Sequence, residues 1–169
     1  MKKYSKKKPL NSHCKKTINP IEKEKTQKRT YNNLQGNWKE KLYSMTDEQK
    51  KENILLYASQ GNKKLVKMLY ESMINPDLNA SYYGDNALTL ASRNGDFSTV
   101  KYLVEKGIDI DFIGANGRSA LHTYARKGMY AETKFLLENN ASPNNTGFME
   151  QTPLFEAVIN NKPEIIELL

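Results

Sequence analysis

Large apolar side chains are almost absent from residues 1 to 30 and recur with helical spacing from Tyr31 onward. Tyr31, Leu34, Trp38 and Leu42 fall at three- and four-residue steps, one face of a short amphipathic helix over 31–45. Such a helix is suited to cover the open end of whatever follows it. Thr46-Asp47-Glu48-Gln49 reads as a capping box, in which the threonine oxygen and the glutamine side chain accept from backbone donors that a first helical turn leaves unpaired. The helix it opens is predicted to run to about Gln60. After it the pattern repeats itself. Apolar, small-residue helices are predicted over Ile54 to Gln60, Leu88 to Asn94, Leu121 to Lys127 and Leu154 to Asn160. Each is followed by a second helix that ends in an apolar pair: Leu69 and Tyr70, Leu103 and Val104, Leu136 and Leu137, Leu168 and Leu169.

The residues between the two helices of each pair, Gly61, Gly95, Gly128 and Asn161, are separated by 34, 33 and 33 positions. A fixed period of this length implies stacked copies of one supersecondary unit. Glycine ends a helix because it enters the left-handed conformation with no Cβ penalty, and asparagine is the next most tolerant residue. Asn62 and Asp96 can then cap the second helices, whereas Met129 and Lys162 offer no acceptor; Lys162 is followed by Pro163, favoured at the first helical position. Small residues at Ala58, Ala91, Ser92, Ala125 and Ala157 let neighbouring helices approach, and Leu88, Leu121, Leu154 and the terminal leucine pairs are expected to fill the layers between repeats. Gly107-Ile108-Asp109 and Asn140-Ala141-Ser142-Pro143-Asn144 break the chain between copies.

Thr152-Pro153-Leu154-Phe155-Glu156-Ala157, Ser119-Ala120-Leu121-His122 and Asn86-Ala87-Leu88-Thr89-Leu90-Ala91 resemble the ankyrin repeat, whose unit carries a T-P-L-H-x-A stretch, a corner glycine, a leucine pair and a glycine-alanine turn. Asn140-Ala141 stands in for that turn. The resemblance covers Glu52 to Leu169, most of the chain. It implies an all-α fold: an ankyrin-repeat solenoid of stacked helix-turn-helix pairs with hairpin-like turns, preceded by a disordered basic arm. The domain over 46–169 divides into repeats at 50–82, 83–115, 116–148 and 149–169, the last incomplete. The first copy, Asn53-Ile54-Leu55-Leu56-Tyr57-Ala58, lacks the threonine and histidine and carries one extra residue, as a terminal capping repeat does. The fourth presents Ile165, Ile166, Leu168 and Leu169 with no polar cap after them, an apolar end expected to fray, self-associate or meet a partner.

The function the resemblance implies is non-enzymatic: binding of a partner protein through the concave face of the stack, in the cell or as a bacterial, host-directed effector. The family's contact positions fall on Tyr82, Tyr83, Asp85, Arg93 and Asn94, on Asn116, Arg118, Arg126 and Lys127, and on Phe148, Met149, Gln151 and Asn160. Tyrosine and arginine are common interface anchors. Against this stands the alternative that Tyr82-Tyr83 and Phe148-Met149 simply pack on the adjacent hairpin.

Charge changes the picture at one end of the chain. The formal net charge is +7, yet residues 1–30 alone hold eleven lysines and arginines against Glu22 and Glu24, so the remainder is mildly acidic. A flexible cationic arm attracts nucleic acid or an anionic membrane without sequence preference, which makes an arm-driven adaptor the alternative function; a solubilising tail is the plainer reading. With Tyr4 as its one aromatic residue, the arm lacks a platform for stacking bases. Lysine and asparagine richness suits an AT-rich genome. A single cysteine, Cys14, forms no intramolecular disulfide, and with His13 supplies too few ligands for zinc, so a reducing, cytoplasmic setting is expected. No stretch matches a secretory signal of about 7–15 apolar residues or a span of about 18. The sequons at Asn79, Asn140 and Asn144 are accordingly read as coincidental.

Catalytic chemistry finds little support. His122 occupies the motif histidine, which in the family braces neighbouring turns. His13 and Cys14 have no scaffold to orient them as base and nucleophile. Glu132, Glu138, Glu164 and Glu167 sit at helix-surface spacings, and Gly114 and Gly117 belong to a predicted hairpin tip rather than a phosphate-cradling loop. No cofactor or metal site is expected.

Overall fold

In the computed structural model, residues 40–169 are described except Asn75 and Tyr82. The arm at 1–30, and Tyr31, Leu34 and Trp38 of the proposed covering helix, lie outside them; residues 41–44 of that segment are helical. Thr46 caps the first long helix as its sequence dictates. Its Oγ1 accepts from the Gln49 N–H at 3.3 Å and the Gln49 Oε1 accepts from the Thr46 N–H at 3.1 Å. This helix, α1, spans Asp47–Ser59.

The corner that follows uses Gly61 at φ 69°, and Asn62 accepts from the Leu65 N–H at 3.2 Å to start α2 (Lys63–Glu71). The same construction gives α3 (Ala87–Asn94), Gly95 at φ 81° and α4 (Phe97–Glu105), the last capped by Asp96. It gives α5 (Ala120–Lys127), Gly128 at φ 73° and α6 (Tyr130–Glu138), where Met129 provides no side-chain cap. In the fourth copy α7 (Pro153–Ile159) turns through Asn161 at φ 51° into α8 (Pro163–Ile166), and Lys162 likewise makes no capping bond. The local signals therefore acted one by one: left-handed corners, side-chain caps at Asn62 and Asp96 where an acceptor exists, and Pro163 after the uncapped Lys162, while the helix after Met129 starts with neither.

Within the compact unit from Lys41 to Leu169, the first helices of successive pairs pack in a row, α1 on α3, α3 on α5 and α5 on α7, and α2 packs on α4. Ala58, Ala91, Ala125 and Ala157 are fully buried along the first row, where a larger side chain would hold the helices apart. Val66, Val100 and Thr133, equivalent positions in the second helices, are also fully buried. Edge-on aromatic pairs tie the second row: Tyr70 to Tyr102 at 6.0 Å between ring centroids, and Phe97 to Phe135 at 5.3 Å. Among the described residues there is no extended strand, and the fold is the all-α ankyrin solenoid.

One expectation is corrected. Leu88 and Leu121 fill interlayer positions and are fully buried, but Leu154, at the same register, is 41% exposed. The reason is geometric: among the described residues no further helix pair follows to cover α7.

Candidate protein-interaction surface

Between pairs the chain forms hairpin-like turns whose backbone bonds fix their shape. Gly114 N–H donates to Arg118 O at 3.0 Å and Gly117 N–H to Gly114 O at 2.8 Å; one repeat on, Gly147 N–H donates to Gln151 O at 2.8 Å. Adjacent turns are joined as well, since Phe148 N–H donates to Gly117 O at 2.8 Å. Tyr83, Asn116 and Met149 are equivalent tip positions, 33 residues apart. Tyr83 and Met149 hold left-handed backbone at φ 53° and 55°, and Glu150 does so at φ 58°. Non-glycine residues rarely occupy that region. Tyr83 is 85% exposed, Phe148 63% and Met149 75%.

The other sequence-predicted contact residues divide by what holds them. Asp85 is buried rather than presented: its carboxylate forms an ion pair with Arg93 and accepts from Thr89 Oγ1 at 3.2 Å and from the Ala115 N–H at 3.1 Å. It braces one turn against the next. Arg118 donates through Nε to Glu156 Oε1 at 2.5 Å, and Glu156 is itself buried, its Oε2 without a hydrogen bond. Lys127 Nζ reaches back to the Ser92 and Arg93 carbonyls at 3.2 and 2.8 Å, the open end of α3. Asn116 is exposed and its Oδ1 accepts from the Arg118 N–H at 3.1 Å. Asn160 is half-buried and donates to Glu156 O at 2.8 Å. Asn94 and Arg126 are exposed, and Gln151 is half-buried. Tyr82 lies outside the described residues.

Sequence reasoning missed two residues here. Glu156 fills the variable position of the motif, and nothing local says that its partner lies 38 residues earlier. Ile159, 56% exposed, stands in register with Arg93 and Arg126, and the 33-residue period alone would have found it.

His122 is fully buried between two turns. Its Nε2 lies 2.9 Å from Gln151 O, which can only accept, so Nε2 carries the proton and Nδ1 faces Ser119 Oγ at 2.8 Å. Burial lowers its pKa below the ordinary 6.5, outweighing the Gln151 bond and the Glu156 charge that favour the protonated ring. An imidazole held neutral in the fold takes up a proton more readily when unfolded, so its contribution is complete above the ordinary value and is lost as pH falls through it. The urea midpoint of the wild type is therefore expected to drop more between about pH 7.5 and pH 5.5 than that of His122→Gln. Parallel pH profiles would contradict a neutral, bracing imidazole.

Among the described residues no group of three His, Cys, Asp or Glu side chains is placed to hold a metal ion, and no helix is long and apolar enough to cross a membrane. The stacked helix pairs, joined by turns that carry the exposed side chains, define a helical-repeat protein-interaction module. The family model for ankyrin repeats matches residues 32–113 and 111–169, and the chain belongs to the ankyrin-repeat family. It is 34% identical over 109 residues to the human SH3 and multiple ankyrin repeat domains protein 2, covering 63% of this chain and 6% of that protein. To the human SH3 and multiple ankyrin repeat domains protein 1 it is 31% identical over 149 residues, covering 80% of this chain and 7% of the relative. An L-asparaginase of Dirofilaria immitis is 34% identical over 82 residues, 48% of this chain but 14% of the enzyme. The chain thus spans a small part of the relatives it matches.

Proposed function

We propose that the chain binds a partner protein through the face formed by its first helices and hairpin tips, without catalysing a reaction. The observation that carries this reading is the exposure of Phe148 and Met149 on a turn pinned by bonds to Gly117 and Gln151. Left-handed backbone at non-glycine residues costs of order 1–3 kcal/mol each, and the inter-turn bonds hold it in place. Large apolar side chains fixed on a rigid turn lose little entropy on binding, which is the condition under which a modest area becomes an effective anchor. The reading serves a cytoplasmic scaffold and a host-directed effector equally, because it depends on the surface and not on the compartment. The arm-driven alternative rests on the eleven cations of residues 1–30.

The test starts from a partner recovered by cross-linking to the full chain. The triple variant Tyr83→Ala, Phe148→Ala, Met149→Ala is expected to weaken its binding by at least about tenfold while the helical melt is retained, since anchor residues of this kind typically carry more than about 1 kcal/mol each. Unchanged affinity in the folded variant would remove the tips from the interface. Loss of binding on deletion of residues 1–30, with the triple variant unaffected, would favour the arm.

A further inference from the structure

The internal repeat allows each charged group on the first-helix row to be compared with its counterpart 33 residues away. In the second repeat Asp85 and Arg93 pair with one another. Their counterparts in the third repeat are Arg118 and Arg126, two cations in place of an ion pair. Arg118 is satisfied elsewhere, by the buried carboxylate of Glu156 on α7. Lys127, beside Arg126, has its ammonium on the two carbonyls at the end of α3. Arg126 is exposed, and among the described residues its guanidinium has no anionic partner. In the fourth repeat Gln151 and Ile159 take these two positions, so the position next in register to Arg126, on the helix packed against α5, is an exposed isoleucine.

We infer that Arg126 is the charge-selecting residue of this surface, and that the segment it accepts is acidic: a stretch of partner protein with an aspartate or glutamate for the Arg126 guanidinium and an apolar side chain beside it for Ile159. This rests on the proposed protein-binding role and adds the chemistry of the partner. Arg93 and Arg118 are each paired with a carboxylate and the Lys127 ammonium rests on two neutral carbonyls, so the row keeps a net positive charge and, of these four cations, Arg126 is the one whose head group has no acceptor among the described residues. Guanidinium presents a planar fork of donors matched to a carboxylate, and a neighbouring apolar contact lowers the water content around that pair and strengthens it. A basic segment would meet the same charge with repulsion.

A displayed library of random twelve-residue peptides, selected in parallel on the full-length wild type and on Arg126→Glu, tests this directly. The wild-type pool is expected to be enriched in Asp and Glu relative to the input, and the Arg126→Glu pool to shift toward Lys and Arg. A representative acidic peptide should bind Arg126→Gln about tenfold more weakly than wild type, the size typical of an interface anchor. Retained helical melts establish that the exposed substitutions leave the fold intact. Two results overturn the inference and leave the protein-binding role standing: identical charge composition in both pools, or peptides whose capture depends on Phe148 and Met149 but not on Arg126. Failure of the wild type to enrich any peptide would count against both.

Discussion

Gly117→Ala is expected to lower the melting temperature of the domain by about 10 °C, whereas Gly95→Ala should cost about a third of that. Both glycines are left-handed, at φ 70° and 81°, and alanine pays roughly 1–2 kcal/mol for that conformation. They differ in what a Cβ would meet. At Gly95 nothing lies within 4 Å, but at Gly117 the new atom would stand 2.3 Å from Phe148 Cβ and 3.1 Å from the Phe148 amide nitrogen. That nitrogen donates to Gly117 O, so the turn cannot yield without losing a bond between repeats. Displacing the two turns adds about 1–3 kcal/mol to the conformational cost, and each kcal/mol moves the melt of a domain this size by a few degrees. Circular dichroism at 222 nm measures both variants. Equal melts would mean that the turns at Gly117 and Phe148 do not pack as described. Because Phe148 and Met149 ride on the displaced turn, the variant is also expected to weaken partner binding even below its melt.

What the sequence made legible was what depends on neighbours along the chain. The Thr46 capping box, the corner glycines, the caps at Asn62 and Asp96 and the absence of caps at Met129 and Lys162 each involve atoms within a few residues, and the period revealed the stack. His122 was placed by its motif. The pairs that join one repeat to the next were not legible. Arg118 and Glu156 meet across 38 residues, and Asp85 turns inward to Ala115, a neighbour 30 residues on, because the path of each side chain is set only once two repeats have stacked. The same limit applies to Asp85: the period places it beside a turn, but which residues there face outward depends on what the adjacent turn offers them. Met149 and Glu150 adopt left-handed backbone with no glycine to signal it, because the bonds of Gly147 and Phe148 to their neighbours determine that turn.

Leu121→Ala should destabilise the domain by about 2–5 kcal/mol, and Leu154→Ala, the same substitution one period later, by less than about 1 kcal/mol. Both leucines occupy the third position of the T-P-L-H-x-A stretch, so helix propensity and motif context predict equal effects. Burial separates them: Leu121 is fully enclosed and Leu154 is 41% exposed. Truncating an enclosed leucine removes its transfer free energy and leaves a cavity, while truncating a half-open one leaves a dent that water fills. Stacked repeats are coupled chiefly to their nearest neighbours, so a cavity at Leu121 loosens α5 against both α3 and α7, and the loss is a large fraction of the few kcal/mol that hold a small domain folded. Urea titration at a fixed low protein concentration measures the pair. A Leu154→Ala loss as large as that of Leu121→Ala would show that the outer side of α7 is covered in solution. If that loss then grew with protein concentration, a second molecule would be the cover, and the exposed Leu154, Val158 and Ile159 would be its contact.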